Sequence, residues 1–300
     1  MTPERPPTIA ASAAARWHSL PVRESPWLHE EVARRMEERL GWIRMQPAAW
    51  AHWGVVRGGL GAHALLTGRY PRAQCFVVEA HKGHEKLAAA SIRKPWWNPS
   101  RLKAPETRFG MPPDAAVQML WSNMALHTAP DPQALIAMWH KALAVDGFLM
   151  FSCLGPDTLL ELRALYSQLG WPPPSHEFTD MHDWGDMLVG AGFAEPVLDM
   201  ERITLSFESP QRLLQELRQL GRNLHPARFA SLRGRQWHAL LQDEVRQHLS
   251  APGEEGRLTL TFEVIYGHAL KPVPRLKVQP EATLSLDAMR QALQQGKNAR

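Results

Sequence analysis

The sequence predicts an open α/β sheet of mostly parallel strands, and three neighbouring segments carry that prediction. Val117 to Trp121 is an unbroken run of large residues, mostly apolar and too short for an isolated helix, as a strand buried on both faces reads. From Pro132 to Leu143, the residues Leu135, Ile136, Met138, Trp139 and Leu143 recur at helical spacing, with Pro132 suited to a first helical turn. Asp146-Gly147 then turns the chain into Phe148 to Cys153, a second continuous apolar strand. Strand, helix and parallel strand make a right-handed crossover unit. Ligands in such sheets sit beyond the carboxyl ends of the strands, which here means Ser122, Asn123, Ser152 and the residues just after them.

The remaining elements can be read in chain order. Residues 1 to 24 are rich in Pro and Ala without a sustained period and read as an N-terminal tail or lid. Ser25-Pro26 starts a helix, Ser25 placed to cap it, with Leu28, Val32, Met36 and Leu40 at intervals of four. Trp50 to Gly54 reads as a strand entering VVRGGLG, where Gly58, Gly59 and Gly61 loosen the backbone before a helical stretch from Ala62 to Leu66. Cys75 to Val78 is the next strand and ends in Glu79. The Pro- and Trp-rich passage between Ser91 and Pro113 offers no strand that the pattern can place. After the central unit, GPDT leads into a helix from Leu159 to Leu165, with Asp157 or Thr158 able to cap it. A further helix opens at Asp180, has Asp183 three residues on, turns Trp184 and Leu188 inward and closes at Gly192. Pro196 to Phe207 and Leu258 to Leu270 are long strands, separated by helices from Pro210 to Leu220 and from about Gln236 to Leu249.

Composition bounds the function. A chain of 300 residues with 44% hydrophobic content can bury a sizeable core. It carries no apolar run of roughly 18 residues that could span a bilayer, and MTPERPPTIAAS lacks the basic start and apolar core of a leader, so a cytoplasmic protein without membrane attachment is expected. Its two cysteines, Cys75 and Cys153, lie in apolar strands and read as core thiols. The formal charge is only +4, yet Arg222, Arg228, Arg233 and Arg235 gather with His225 in RNLHPARFASLRGRQWH, a patch suited to an acidic partner. No helix-turn-helix, zinc-ligand or stacking-aromatic pattern accompanies it, so no nucleic acid is expected. His176, Asp180, His182, Asp183 and Asp186 crowd one segment, but a capping box at the head of an amphipathic helix explains their spacing without a metal.

The words SNMAL, FSCLGPDTLLELR, FTDMHDWGDMLVGAGFAEPVLDMERITL and FEVIYGHALKP, in this order of elements, resemble the malonyl-acyl-carrier-protein O-methyltransferases of biotin synthesis, which use S-adenosylmethionine. The resemblance covers roughly residues 25 to 272, leaving 273 to 300 as a C-terminal tail with a short polar helix. It implies a class I methyltransferase (Rossmann-like) fold: a seven-stranded sheet, helices on both faces, an antiparallel last strand, and the cofactor across the ends of the first, second and fourth strands.

The cofactor half departs from that family's pattern. Its first motif is a strand bearing an acid, then a Gly-x-Gly-x-Gly type turn, whereas this chain reads WAHWGVVRGG. His52 stands where the acid is expected and Val56 where the middle glycine is expected, while Gly54 and Gly58 match. A β-branched residue at a position suited to positive φ is strained, so the loop takes another path or the site is partly filled. Gln118 replaces the acid of the fourth strand. The resemblance implies cofactor contacts at Gly54, Gly58, Glu79, Ser122 and Asn123, with Glu79 accepting the ribose hydroxyls.

Methyl transfer from sulfonium to oxygen is an in-line displacement, so alignment and exclusion of water are the protein's main tasks. A malonyl carboxylate is already ionised at neutral pH and needs no general base. It does need donors that orient it, and Arg163 and Arg222 are candidates, with His182 as a further pocket residue. The acceptor would be a thioester on acyl carrier protein or coenzyme A. The alternative is a non-catalytic or cofactor-poor relative that keeps the fold and serves as a binding or regulatory partner, a reading motivated by His52, Val56 and Gln118.

Overall fold

The computed structural model describes residues 9–92, 106–250 and 256–274. Seven strands form one sheet: β1 (Ala49–Trp53), β2 (Gln74–Val78), β3 (Thr107–Phe109), β4 (Val117–Ser122), β5 (Leu143–Leu154), β6 (Ala194–Phe207) and β7 (Leu258–Leu270). Their order is β3-β2-β1-β4-β5-β7-β6. Pairing is parallel from β3 through β5, and β7 lies antiparallel to both neighbours. The chain winds outward from β1 through β2 to β3, then crosses back to β4 on the other side of β1, so the topological switch point lies between β1 and β4.

Two apolar layers arise from the strand alternation. Trp50, Met119, Trp121, Phe148 and Met150 face one layer with α2 (Trp27–Arg39), α4 (Leu60–Arg69) and α5 (Lys82–Ile92), while Ala51, Leu120, Leu149 and Phe151 face the other with α6 (Pro132–Ala142) and α8 (Met181–Gly190). The central strands are therefore buried on both faces, as their unbroken apolar runs require. Ile136 and Trp139 of α6, and Trp184 and Leu188 of α8, turn inward as their spacing predicts. Asp131 caps α6 by accepting the Ala134 N–H at 2.9 Å, and Asp180 caps α8 by accepting that of His182 at 2.8 Å. The expected Asp146-Gly147 turn is an irregularity within β5: Asp146 takes a left-handed φ of 63° at the register shift past which regular pairing with β4 resumes at Phe148. The last helices, α9 (Pro210–Leu220) and α10 (Arg235–His248), connect β6 to β7.

Several local expectations are corrected. Ser25 does not cap α2: its hydroxyl donates to the Val56 carbonyl at 3.0 Å and accepts the Leu60 N–H at 2.9 Å, two long-range partners in place of a local one. Neither Asp157 nor Thr158 caps α7 (Leu160–Gln168): Thr158 donates to the Glu263 carbonyl at 3.1 Å, and Asp157 pairs with Arg202. A helix, α1 (Ala11–Ser19), stands where no period was visible. The passage that offered no strand contains the short β3. Much of that passage and the C-terminal tail with its short helix lie outside the described residues. Among the described residues no helix is long and apolar enough to cross a membrane.

Candidate active site

The switch point is framed by the carboxyl ends of β1, β2 and β4, and the turn leaving β1 decides its shape. Gly54 adopts a left-handed φ of 70°, with no atom within 4 Å of where a Cβ would stand, and its N–H donates to the Val78 carbonyl at 2.8 Å. The chain then coils at once into the short helix α3 (Val55–Gly58). Val56 is helical and fully buried, so the strain expected of a valine at positive φ does not arise; the loop takes a path that holds it in the apolar layer. A Cβ on Gly58 would stand 2.9 Å from the Asn123 carbonyl oxygen, which explains why that glycine is kept.

Glu79 lies at the end of β2 as predicted, yet it faces its own protein: Oε1 accepts the Val56 N–H at 2.7 Å. Burial raises its pKa from 4.5 to about 7, the Val56 hydrogen bond and the nearby Arg57 offsetting only part of that cost. Asn123 is buried, and its side chain is fully employed as a staple. Its amide donates to the His29 carbonyl at 2.8 Å and to the Gly58 carbonyl, while its oxygen accepts the Ser152 hydroxyl at 2.5 Å. The Ser122 hydroxyl is buried without a hydrogen-bond partner. Gly54, Gly58, Glu79, Ser122 and Asn123 are thus gathered at one edge, with Asn123 bracing the loop.

The three residues proposed for the acceptor do not converge. Arg163 donates to the Pro156 carbonyl at 2.6 Å, and His182 is exposed on α8, beside Trp184, which packs in the opposite apolar layer. Of the three, Arg222 meets the N-terminal helix α1, with its guanidinium 5.3 Å from the centre of the Trp17 ring.

Trp17 belongs to α1, which lies across this edge. It packs with Ala14 and Leu224, and the Ala10 N–H donates to the Leu224 carbonyl at 2.8 Å. Arg57 is a site residue that the sequence pattern does not mark. Its guanidinium stacks on Trp17 at 3.5 Å and donates to the Trp17 and Leu20 carbonyls at 2.9 and 3.2 Å. A ring nitrogen of His84 contacts the same Leu20 carbonyl at 2.9 Å. Between Ile9, ahead of α1, and the segment after β4, a cavity bordered also by Leu126, His127, Glu177, Thr179 and Trp184 holds about 10 Å³, room for one water. His29 and His176 are pushed down to about 4, and His127 also falls, each chiefly by burial. They are neutral at pH 7, so the positive charge at this edge comes from arginine.

The remaining departures are internal. Gln118 accepts the Ala49 N–H at 2.8 Å, and His52 is fully buried. Burial also pushes both thiols up, so neither cysteine is a nucleophile at neutral pH.

No protein-family model matches the chain. A malonyl-[acyl-carrier protein] O-methyltransferase of Gallionella capsiferriformans is 38% identical over 257 residues, covering 83% of this chain and 86% of that protein. One from Laribacter hongkongensis is 36% identical over 259 residues, covering 83% and 84%. A candidate methyltransferase structure from Bacillus halodurans C-125 aligns with a TM-score of 0.53 at 15% identity, over 81% of this chain and 100% of that one, a likeness of fold alone. Taken with the sheet order and the antiparallel β7, those sequence likenesses show that the chain belongs to the malonyl-[acyl-carrier protein] O-methyltransferase family.

Proposed function

We propose that this chain is an S-adenosylmethionine-dependent O-methyltransferase acting on the free carboxylate of a malonyl thioester, carried by an acyl carrier protein or by coenzyme A. The observation that carries the reading is the retained edge of the switch point, Gly54, Gly58 and Glu79 in place at the ends of β1 and β2, in a chain 38% identical to a relative of that name. The bare backbone at Gly54 and a carboxylate at the second strand fit an adenosyl cofactor. Glu79 would hold its ribose hydroxyls and the α3 turn its amino-acid portion. When bound, the cofactor supplies an electrophilic methyl group.

The chain's own contribution is alignment and exclusion of water. A carboxylate acceptor is ionised at neutral pH, so its methylation asks for no general base. Residues 1–24 act as a lid in this reading: α1 closes the edge through Trp17, and access requires it to lift. The basic stretch from Arg222 to Arg235 receives the acidic carrier protein. A cofactor-poor binding protein is the second reading, favoured because the Val56 N–H already engages Glu79.

Calorimetry with S-adenosylhomocysteine, paired with transfer of labelled methyl to malonyl carrier protein, tests the proposal. Micromolar binding and transfer are expected. Absence of heat at millimolar ligand would overturn the enzyme reading in favour of the second.

A further inference from the structure

Two guanidinium groups lie against the ring of one tryptophan at the functional edge. Arg57 lies 3.5 Å and Arg222 5.3 Å from the Trp17 ring centre. Among the described residues neither forms an ion pair with a carboxylate. Arg57 spends one terminal nitrogen on the Trp17 and Leu20 carbonyls, and its Nε has no partner. Arg222 spends its own on the Arg218 and Gly221 carbonyls. The nearest acid to Arg57 is Glu79, at electrostatic range only, and its carboxyl is turned to the Val56 N–H. Burial and the neighbouring Arg222 both pull the Arg57 pKa down, to about 10, so the two cations repel one another. Like charges held together without a counter-ion favour an anion between them, and the flat fork of each guanidinium matches the geometry of a carboxylate.

We propose that Arg57 and Arg222, held against Trp17, form a carboxylate-binding pair that orients an anionic group of a ligand at the switch point. The proposal rests on the methyltransferase reading for the choice of ligands. Two carboxylates meet at such a site, the α-carboxylate of the cofactor's amino-acid portion and the free carboxylate of the malonyl acceptor. In the second case the pair also separates substrate from product. Methylation turns the acceptor into a neutral ester, which loses both charge-assisted contacts and is released.

The test uses the full chain and calorimetry at fixed ionic strength with two matched pairs of probes. S-adenosylhomocysteine is compared with 5′-methylthioadenosine, which lacks the amino-acid portion, and malonyl-pantetheine with acetyl-pantetheine. In the wild type at least one carboxylate-bearing probe binds tenfold or more tighter than the counterpart that lacks the carboxylate, roughly what charge-assisted hydrogen bonds to one carboxylate contribute. Arg222→Gln, a surface change, and Arg57→Gln each shrink that gap about tenfold, and because the gap is a ratio, any loosening of α1 that moves both probes alike cancels from it. The pair of probes whose gap closes identifies the source of the carboxylate. If the adenosyl probes bind but neither variant moves either gap, the carboxylate pair is refuted and the methyltransferase reading stands. A malonyl gap that closes in both variants, with no adenosyl probe binding, supports the pair and removes the methyltransferase reading. If no probe binds, both fall.

Discussion

Glu79 sets function against stability, and Glu79→Gln measures the conflict. Its carboxyl sits at about 7 in the folded chain instead of 4.5, because burial penalises the ionised form by more than the Val56 N–H and Arg57 recover. The folded value is the higher one, so folding takes up a proton. The wild type therefore has its full stability from this group below 4.5 and loses it as the pH climbs toward 7. At about 1.36 kcal/mol per tenfold change in proton affinity, the penalty is under about 1 kcal/mol at pH 5 and about 3 kcal/mol at pH 8. Glutamine keeps an oxygen for the Val56 N–H and has no proton to lose. Urea unfolding of both proteins at pH 5 and pH 8 then gives a variant whose advantage grows by about 2 kcal/mol between the two, since titrating groups remote from Glu79 cancel in the difference and His84, 3.8 Å away, is the near one that does not. The same variant weakens S-adenosylhomocysteine about tenfold by removing the anionic acceptor for the ribose hydroxyls. An advantage that does not change with pH would refute the assignment of a buried, ionising Glu79.

Four other outcomes are expected. Val56→Gly removes a fully buried side chain from a helical position, lowering stability by about 3 kcal/mol in urea titration without tightening S-adenosylhomocysteine; tighter binding would show that the valine itself blocks the site. Asn123→Asp replaces an amide donor facing the His29 and Gly58 carbonyls with an acceptor, costing about 3 kcal/mol or more, and a neutral result would dismiss the staple. Trp17→Ala frees α1, so limited proteolysis between residues 20 and 26 quickens and stopped-flow association of S-adenosylhomocysteine accelerates; an unchanged association rate would show that α1 does not gate the site. Arg228→Glu with Arg233→Glu slows docking of an acidic carrier protein most at low salt, whereas a salt-independent effect would point to the lost stacking of Arg233 on Phe229 and Trp237.

The sheet was legible because its central strands are buried on both faces, so Val117 to Trp121 and Phe148 to Cys153 could not hide their apolar runs. The features that escaped the sequence depend on distant partners. The segment ASAAARWHS carries only alanines and one tryptophan as apolar residues, and its helix is anchored by Leu224, more than 200 residues on. Strand β3 spans Thr107–Phe109 at the sheet edge, too short for a period of two to show. The glycines and Glu79 of the site were readable from the family resemblance, but a single arginine inside VVRGG gave no periodic signal. Only the fold brings Trp17 against it.

The three departures in the cofactor half are not equivalent, and their physical roles separate them. Gln118 supplies an uncharged acceptor to the Ala49 N–H, tying β4 to the start of β1 without a charge. His52 lies among Trp50, His63 and Trp121, stacked on His63 at 5.6 Å, and neither ring nitrogen has a hydrogen-bond partner. Burial holds that imidazole neutral, so it serves as a flat filler between β1 and α4. Both changes are absorbed inside the protein. Val56 alone reaches the ligand edge, and it does so through its backbone, by engaging the oxygen of Glu79 that a ribose would need. If Glu79 holds the ribose as proposed, cofactor affinity turns on exchanging one charge-assisted hydrogen bond for another, a contest of about 1–3 kcal/mol that binding energy from the rest of an adenosyl ligand can win.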